Sequence, residues 1–117
     1  MPAVPELHLR QIARYCQQRV PEHARDQVQV SYRVRGRSVT IVERRPPWRA
    51  DMGPEWTSLP VAQLRWTSPS GSGEEGVWRL YWADRNQRWH PVPDAPPARS
   101  PGALLAFIDE HPAAFWG

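Results

Sequence analysis

The sequence predicts an α+β domain of two layers: an antiparallel sheet of about five strands with one helix before it and one after it. Three observations carry that expectation. A helical apolar stripe opens the chain. Short stretches then alternate apolar and polar residues between glycine and proline breaks. A second apolar stripe follows a proline-rich crossing near the end. With 117 residues there is enough chain for one core and too little for two ordinary ones, so 1–117 reads as a single domain.

The elements follow in order. Leu9, Ile12, Ala13, Cys16 and Val20 recur on one face of a helix that begins near Pro5 and ends before Pro21. Val28, Val30, Tyr32 and Val34 then alternate with polar residues, and beyond Gly36-Arg37 the pattern resumes with Val39, Ile41 and Glu43. If Gly36-Arg37 is a two-residue turn, Val34 faces Val39, Tyr32 faces Ile41 and Val30 faces Glu43, which sets the apolar pairs on one side. The other side carries Arg33, Arg35 and Arg44, with Arg37 at the tip, as a basic ribbon facing solvent. Pro46-Pro47 ends the hairpin because neither residue donates to a ladder.

Residues 48–60 read as a loop pinned by Trp48 and Trp56. Ala62, Leu64 and Trp66 mark a third strand and Trp78, Leu80 and Trp82 a fourth, on either side of a Ser/Gly loop. The three in-facing tryptophans, Trp66, Trp78 and Trp82, are expected in the core. A turn at Asp84-Arg85-Asn86-Gln87 leads to a short fifth strand holding Trp89. Ser100 as N-cap and Pro101 at the first helical position start a helix bearing Leu104, Leu105 and Ile108. Pro112 stops it, and Phe115-Trp116 tucks back onto the body.

Charge is unevenly placed. All fifteen basic residues are Arg, against twelve Asp and Glu, for a formal net charge of +3. Between 25 and 49, seven Arg stand against Asp26 and Glu43, whereas between 50 and 76 Asp51, Glu55, Glu74 and Glu75 outnumber Arg65. Such polarity favours an anionic partner held on one side. Planar guanidinium groups beside indole rings suit stacked bases, sugars or a protein partner.

Other classes are excluded. A single cysteine, Cys16, allows neither an intramolecular disulfide nor a multi-cysteine zinc site, and on an apolar helix face it reads as core. No His or carboxylate pair has metal-ligand spacing, and no glycine-rich phosphate loop or nucleophile elbow occurs, so no metal or cofactor is expected. The first residues lack a signal-peptide pattern, and no stretch nears the roughly 20 apolar residues of a membrane span. A cytoplasmic protein with no membrane partner is the expectation; its oligomeric state is open.

The leading functional expectation is a non-enzymatic module for single-stranded RNA or DNA, or for another anionic partner. Arg33, Arg35, Arg37, Arg44 and Arg45 would contact phosphates and Trp48 and Trp89 would stack on bases, with Arg85 and Arg88 adjoining. A second expectation is a metal-independent ribonuclease in which Glu43 is the base for the 2′-hydroxyl and His90 protonates the leaving oxygen. Against it, Glu43 also reads as a strand-end carboxylate held by Arg45, Arg85 or Arg88, and Asp84 and Asn86 as ordinary turn formers. A third is a protein-interaction domain whose Trp patch meets a partner or its own copy.

Two motifs carry a resemblance. Glu43-Arg44-Arg45-Pro46-Pro47-Trp48 and Tyr81-Trp82-Ala83-Asp84-Arg85-Asn86-Gln87-Arg88-Trp89-His90, with Phe115-Trp116-Gly117 at the end, resemble a family of small bacterial proteins known only as a domain of unknown function. Gln87 departs from the glycine expected in that turn. The resemblance implies a bacterial, cytosolic, stand-alone domain and assigns no activity to any residue.

Overall fold

A meander of five antiparallel strands receives the apolar stripes of both helices on one face. The computed structural model describes residues 4–24, 26–47, 51, 53, 55–67 and 76–116. Helix α1 spans Glu6–Arg19 and is followed by a 3-10 turn at Glu22–Ala24. The strands are β1 Gln29–Arg35, β2 Ser38–Arg45, β3 Thr57–Thr67, β4 Val77–Ala83 and β5 Trp89–Pro91. Helices α2, Gly102–Glu110, and α3, Pro112–Phe115, close the chain. Spatial order equals chain order, β1-β2-β3-β4-β5, so the predicted α+β architecture stands.

The hairpin adopts the register that the alternation requires: Val34 pairs with Val39, Tyr32 with Ile41 and Val30 with Glu43. Gly36 takes φ +58° at the first turn position, a conformation open to glycine without a side-chain penalty. Cross-strand partners share a sheet face, so Val39, Leu64 and Leu80 fall in one row and Ile41 and Ala62 in the next. These residues are buried together with Ile12 and Cys16 of α1 and Leu104, Leu105 and Ile108 of α2. Both helices therefore lie on this inner face; among the described residues no helix covers the other, where Val42 is nevertheless buried.

Trp78 is the largest fully buried side chain. Its indole N–H would be costly to bury unpaired, and it donates to His8 Nδ1 at 2.9 Å. The His8 ring also meets Trp66 and Trp78 edge-on, at 5.6 and 5.9 Å between centroids. Gly76 lies so close beneath Trp66 that a Cβ there would overlap the indole. Two contacts tie α1 to the C-terminal helices: Tyr15 donates to Asp109 at 2.8 Å, and the Arg19 guanidinium sits 4.5 Å from the Trp116 ring centre. Cys16 is core as expected, and burial pushes its thiol pKa up to about 12.

Three local expectations need correction. β3 begins at Thr57, not beyond residue 60, because Thr57, Ser58 and Leu59 pair with Arg45, Arg44 and Glu43; a bulge near Val61 then resets the register. Helix α2 is capped by Pro101 without any side-chain bond, so Ser100 is not its N-cap. Trp82 faces inward yet remains 37 % exposed. It lines a groove of about 380 Å³ with Val92, Phe107, His111 and Phe115 that the short α3 leaves unfilled. The Ser/Gly loop and Trp48 lie outside the described residues.

Candidate nucleic-acid interface

Alternation places one set of side chains on the face away from the helices. Reading across the ladders, Arg35, Ser38, Arg65 and Arg79 form one row, and Arg33, Thr40, Gln63, Tyr81 and Pro91 the next. Arg44 and Ser58 lie further along, and Trp89 follows Pro91 on β5 with Ala83 opposite. Five arginines thus share a surface on which no strand position carries Asp or Glu. Among the described residues, Arg33, Arg35 and Arg79 are exposed and have no carboxylate partner.

The middle of this face is organised. Arg65 is half-buried; its Nε donates to Gln63 Oε1 at 2.6 Å, and Gln63 Nε2 donates to Thr40 Oγ1 at 2.9 Å. The guanidinium carbon of Arg65 lies 3.9 Å from the centre of the Tyr81 ring. This arrangement restricts the torsions of a long side chain whose guanidinium group is of the kind that recognises a phosphate or a base edge. At the β2 end, Arg44 stands 6.0 Å from the centre of Trp56, the ring that leads into β3.

The predicted binding residues divide. Arg33, Arg35, Arg44 and Trp89 share the outer face, with Arg37 exposed in the hairpin turn. Arg45 does not belong with them: two residues from Glu43, it points to the helix side, where its Nε donates to Glu43 Oε1 at 2.9 Å. Arg85 lines a hollow beside Leu59, Ala113 and Trp116, on the helix side of the β4–β5 turn. Arg88 stands exposed after that turn.

The two residues of the ribonuclease expectation are not brought together. Glu43 on β2 and His90 on β5 are separated by two intervening strands, about 14 Å at ordinary strand spacing. Each is engaged locally. Glu43 pairs with Arg45, and His90 Nε2 lies 2.8 Å from Asp84 Oδ2, its ring tilted against Trp82 at 4.9 Å. The other oxygen of Asp84 accepts the N–H groups of Asn86 and Arg88 at 2.8 and 3.0 Å, as a turn-forming aspartate does. The bond with His90, followed by the backbone bond from Arg88, holds the Asp84 carboxyl below the usual carboxylate pKa. Among the described residues no group of three or more His, Cys, Asp or Glu is arranged to hold a metal.

Arg65, Arg79, Tyr81, Gln63 and Thr40 belong to the face although none was a predicted site residue. The signal was present: Gln63 and Arg65, then Arg79 and Tyr81, occupy the polar phase of two alternating strands. What could not be read was the order of strands that brings this phase beside that of the hairpin.

No helix among the described residues is long and apolar enough to cross a membrane. No curated protein and no solved structure matches the chain. One family model does, across residues 1–117, and the chain therefore belongs to the family described as Domain of unknown function (DUF3024).

Proposed function

We propose that the protein is a cytosolic, non-enzymatic module that binds single-stranded nucleic acid on the open face of its sheet. The observation that carries this reading is the coincidence of five arginines, no carboxylate at any strand position and the aromatic rings of Trp56, Tyr81 and Trp89 on the one face that the helices leave uncovered. In this reading Arg33, Arg35, Arg44 and Arg79 follow a phosphate backbone, Trp89 offers a ring to a base, and Arg65 offers a held guanidinium plane. A sheet face against which no described helix packs suits an unpaired strand better than a duplex, whose bases are already stacked on one another.

Fluorescence anisotropy with a labelled mixed-sequence single-stranded RNA tests it. With four or five phosphates neutralised, affinity should fall roughly fifty- to a hundredfold between 50 and 200 mM salt. The same RNA should run intact on a denaturing gel. Absence of binding at low salt, or an affinity indifferent to salt, would overturn the reading.

A further inference from the structure

The two edges of the sheet are finished differently. At β5 the strand is three residues long and includes Pro91, and the chain beyond it stays against β4, where Ala98 and Trp78 exchange backbone bonds of 2.6 and 3.0 Å. Short strands and proline are standard ways to close an edge to further pairing. β1 has neither. It runs for seven residues without proline and pairs with β2 without a register shift, and no described strand lies on its far side. Its inward positions, Val30, Tyr32 and Val34, are all apolar. Val30 packs against the core, but Tyr32 is 36 % and Val34 46 % exposed.

The strand is also nearly symmetric about Tyr32. Moving outward one step at a time, the flanking residues are Ser31 and Arg33, Val30 and Val34, then Gln29 and Arg35. A second copy added antiparallel must keep directly opposed residues on the same face, which limits the allowed registers. Centring on Arg33 sets Arg33 against itself, and centring on Val34 sets Arg33 against Arg35, so both oppose like charges. Centring on Ser31 leaves Val34 and Arg35 beyond the end of the other strand. Centring on Tyr32 pairs all seven residues: Tyr32 with Tyr32, Val30 with Val34, Arg33 with Ser31 and Arg35 with Gln29. No arginine then faces another.

We propose that β1 is the interface of a homodimer, in which two copies join antiparallel with Tyr32 opposite Tyr32 to form one continuous sheet. The two-fold axis stands perpendicular to the sheet, so the helices of both copies lie on one side and the two arginine faces merge on the other. Tyr32 and Val34 gain the cover they lack in the single chain. The proposal stands independently of the nucleic-acid reading, because it uses the edge of the sheet and its inward residues.

Light scattering across micromolar concentrations should give the mass of a dimer. Tyr32→Cys should then form a disulfide-linked dimer under mild oxidation, since the two-fold sets these positions directly opposite each other. Val34→Cys should not, because its two copies lie about 13 Å apart in this register, beyond disulfide reach. Cys16 is buried and adds no cross-link of its own. Ser31→Glu, which places a carboxylate opposite Arg33, should tighten the dimer by a factor on the order of five, and Ser31→Arg should loosen it comparably. A monomeric mass for the unaltered protein at all concentrations would overturn the interface. Cross-linking of Val34→Cys as readily as Tyr32→Cys, or the same response to Glu and Arg at residue 31, would overturn this register.

Discussion

Arg65 lies over the ring of Tyr81 on the neighbouring strand, its guanidinium carbon 3.9 Å from the ring centre, while its Nε donates 2.6 Å to Gln63. The ring supports the guanidinium face while the amide holds its Nε. An exposed arginine ordinarily samples many rotamers, and freezing it on a ligand costs affinity. Here part of that cost is met on folding. Of the other arginines of the face, Arg44 stands near the Trp56 ring, whereas among the described residues Arg33, Arg35 and Arg79 have no such support, so they suit electrostatic attraction more than geometric selection.

A double-mutant cycle separates these roles. Arg65→Gln and Tyr81→Leu should each lower stability modestly, with a coupling of about 0.5–1 kcal/mol in urea denaturation. In RNA titrations, Arg65→Gln should weaken binding and reduce the magnitude of the log–log salt slope by about 0.7, one phosphate contact on a single strand. Gln63→Leu should weaken binding while leaving that slope unchanged, because the charge stays and only its positioning is lost. An Arg65→Gln variant that binds like the parent would place the contact elsewhere.

Much of this was legible in the sequence, and the failures have physical causes. The hairpin was readable because a period of two with a two-residue turn fixes a single register, and Val30 opposite Glu43 followed from it. Pairing of Glu43 with Arg45 was likewise an expected outcome for a carboxylate on an inward phase. The start of β3 was missed because Thr57, Ser58 and Leu59 carry no alternation of their own; they are strand because β2 is long enough to pair with them. Burial of Trp82 was over-read because phase reports which face a residue takes and not whether a helix reaches that end of the sheet. Arg65 and Tyr81 were visible as polar-phase residues, but their contact depends on strand order, which no local pattern records.

Trp78 and Trp82 share a strand and a phase but differ in cover, and their truncations should differ accordingly. Trp78→Ala removes a fully buried indole and should cost about 3–5 kcal/mol in chemical denaturation. Trp82→Ala removes a ring that still faces a groove and should cost about 1 kcal/mol. Equal losses at the two positions would contradict this division of the core.

Gln87 occupies the left-handed region, with φ +61°, in the turn between β4 and β5. A side chain there strains the backbone by roughly 1–2 kcal/mol, and the turn itself is closed by its N–H donating to Asp84 O at 2.8 Å. Glycine keeps that bond and relieves the strain, offset in part by the entropy of a looser unfolded chain. Gln87→Gly should therefore raise stability by up to about 1 kcal/mol, whereas Gln87→Ala should give no gain. Thermal unfolding of the two variants side by side decides it, and a destabilised glycine variant would show that the Gln87 side chain contributes more than the strain removes.

His8 links stability to pH. Its Nδ1 accepts the Trp78 N–H, so the neutral ring carries its proton on Nε2, and burial lowers its pKa below the ordinary 6.5. Protonating Nδ1 would set two donors against each other beside a buried indole. Because the unfolded chain takes up this proton more readily than the native one, the contribution of His8 is complete above about pH 6.5 and is lost as pH falls from there through the lowered native pKa. The Asp84 carboxyl, whose pKa is lowered from 3.8, weakens the fold only in the more acidic range below that value, so the two windows are distinct. His8→Gln keeps an acceptor within reach of the indole but does not titrate. Urea midpoints measured from pH 7.5 to 5 should decline for the parent and decline less for His8→Gln, and parallel curves for the two proteins would remove His8 as the source.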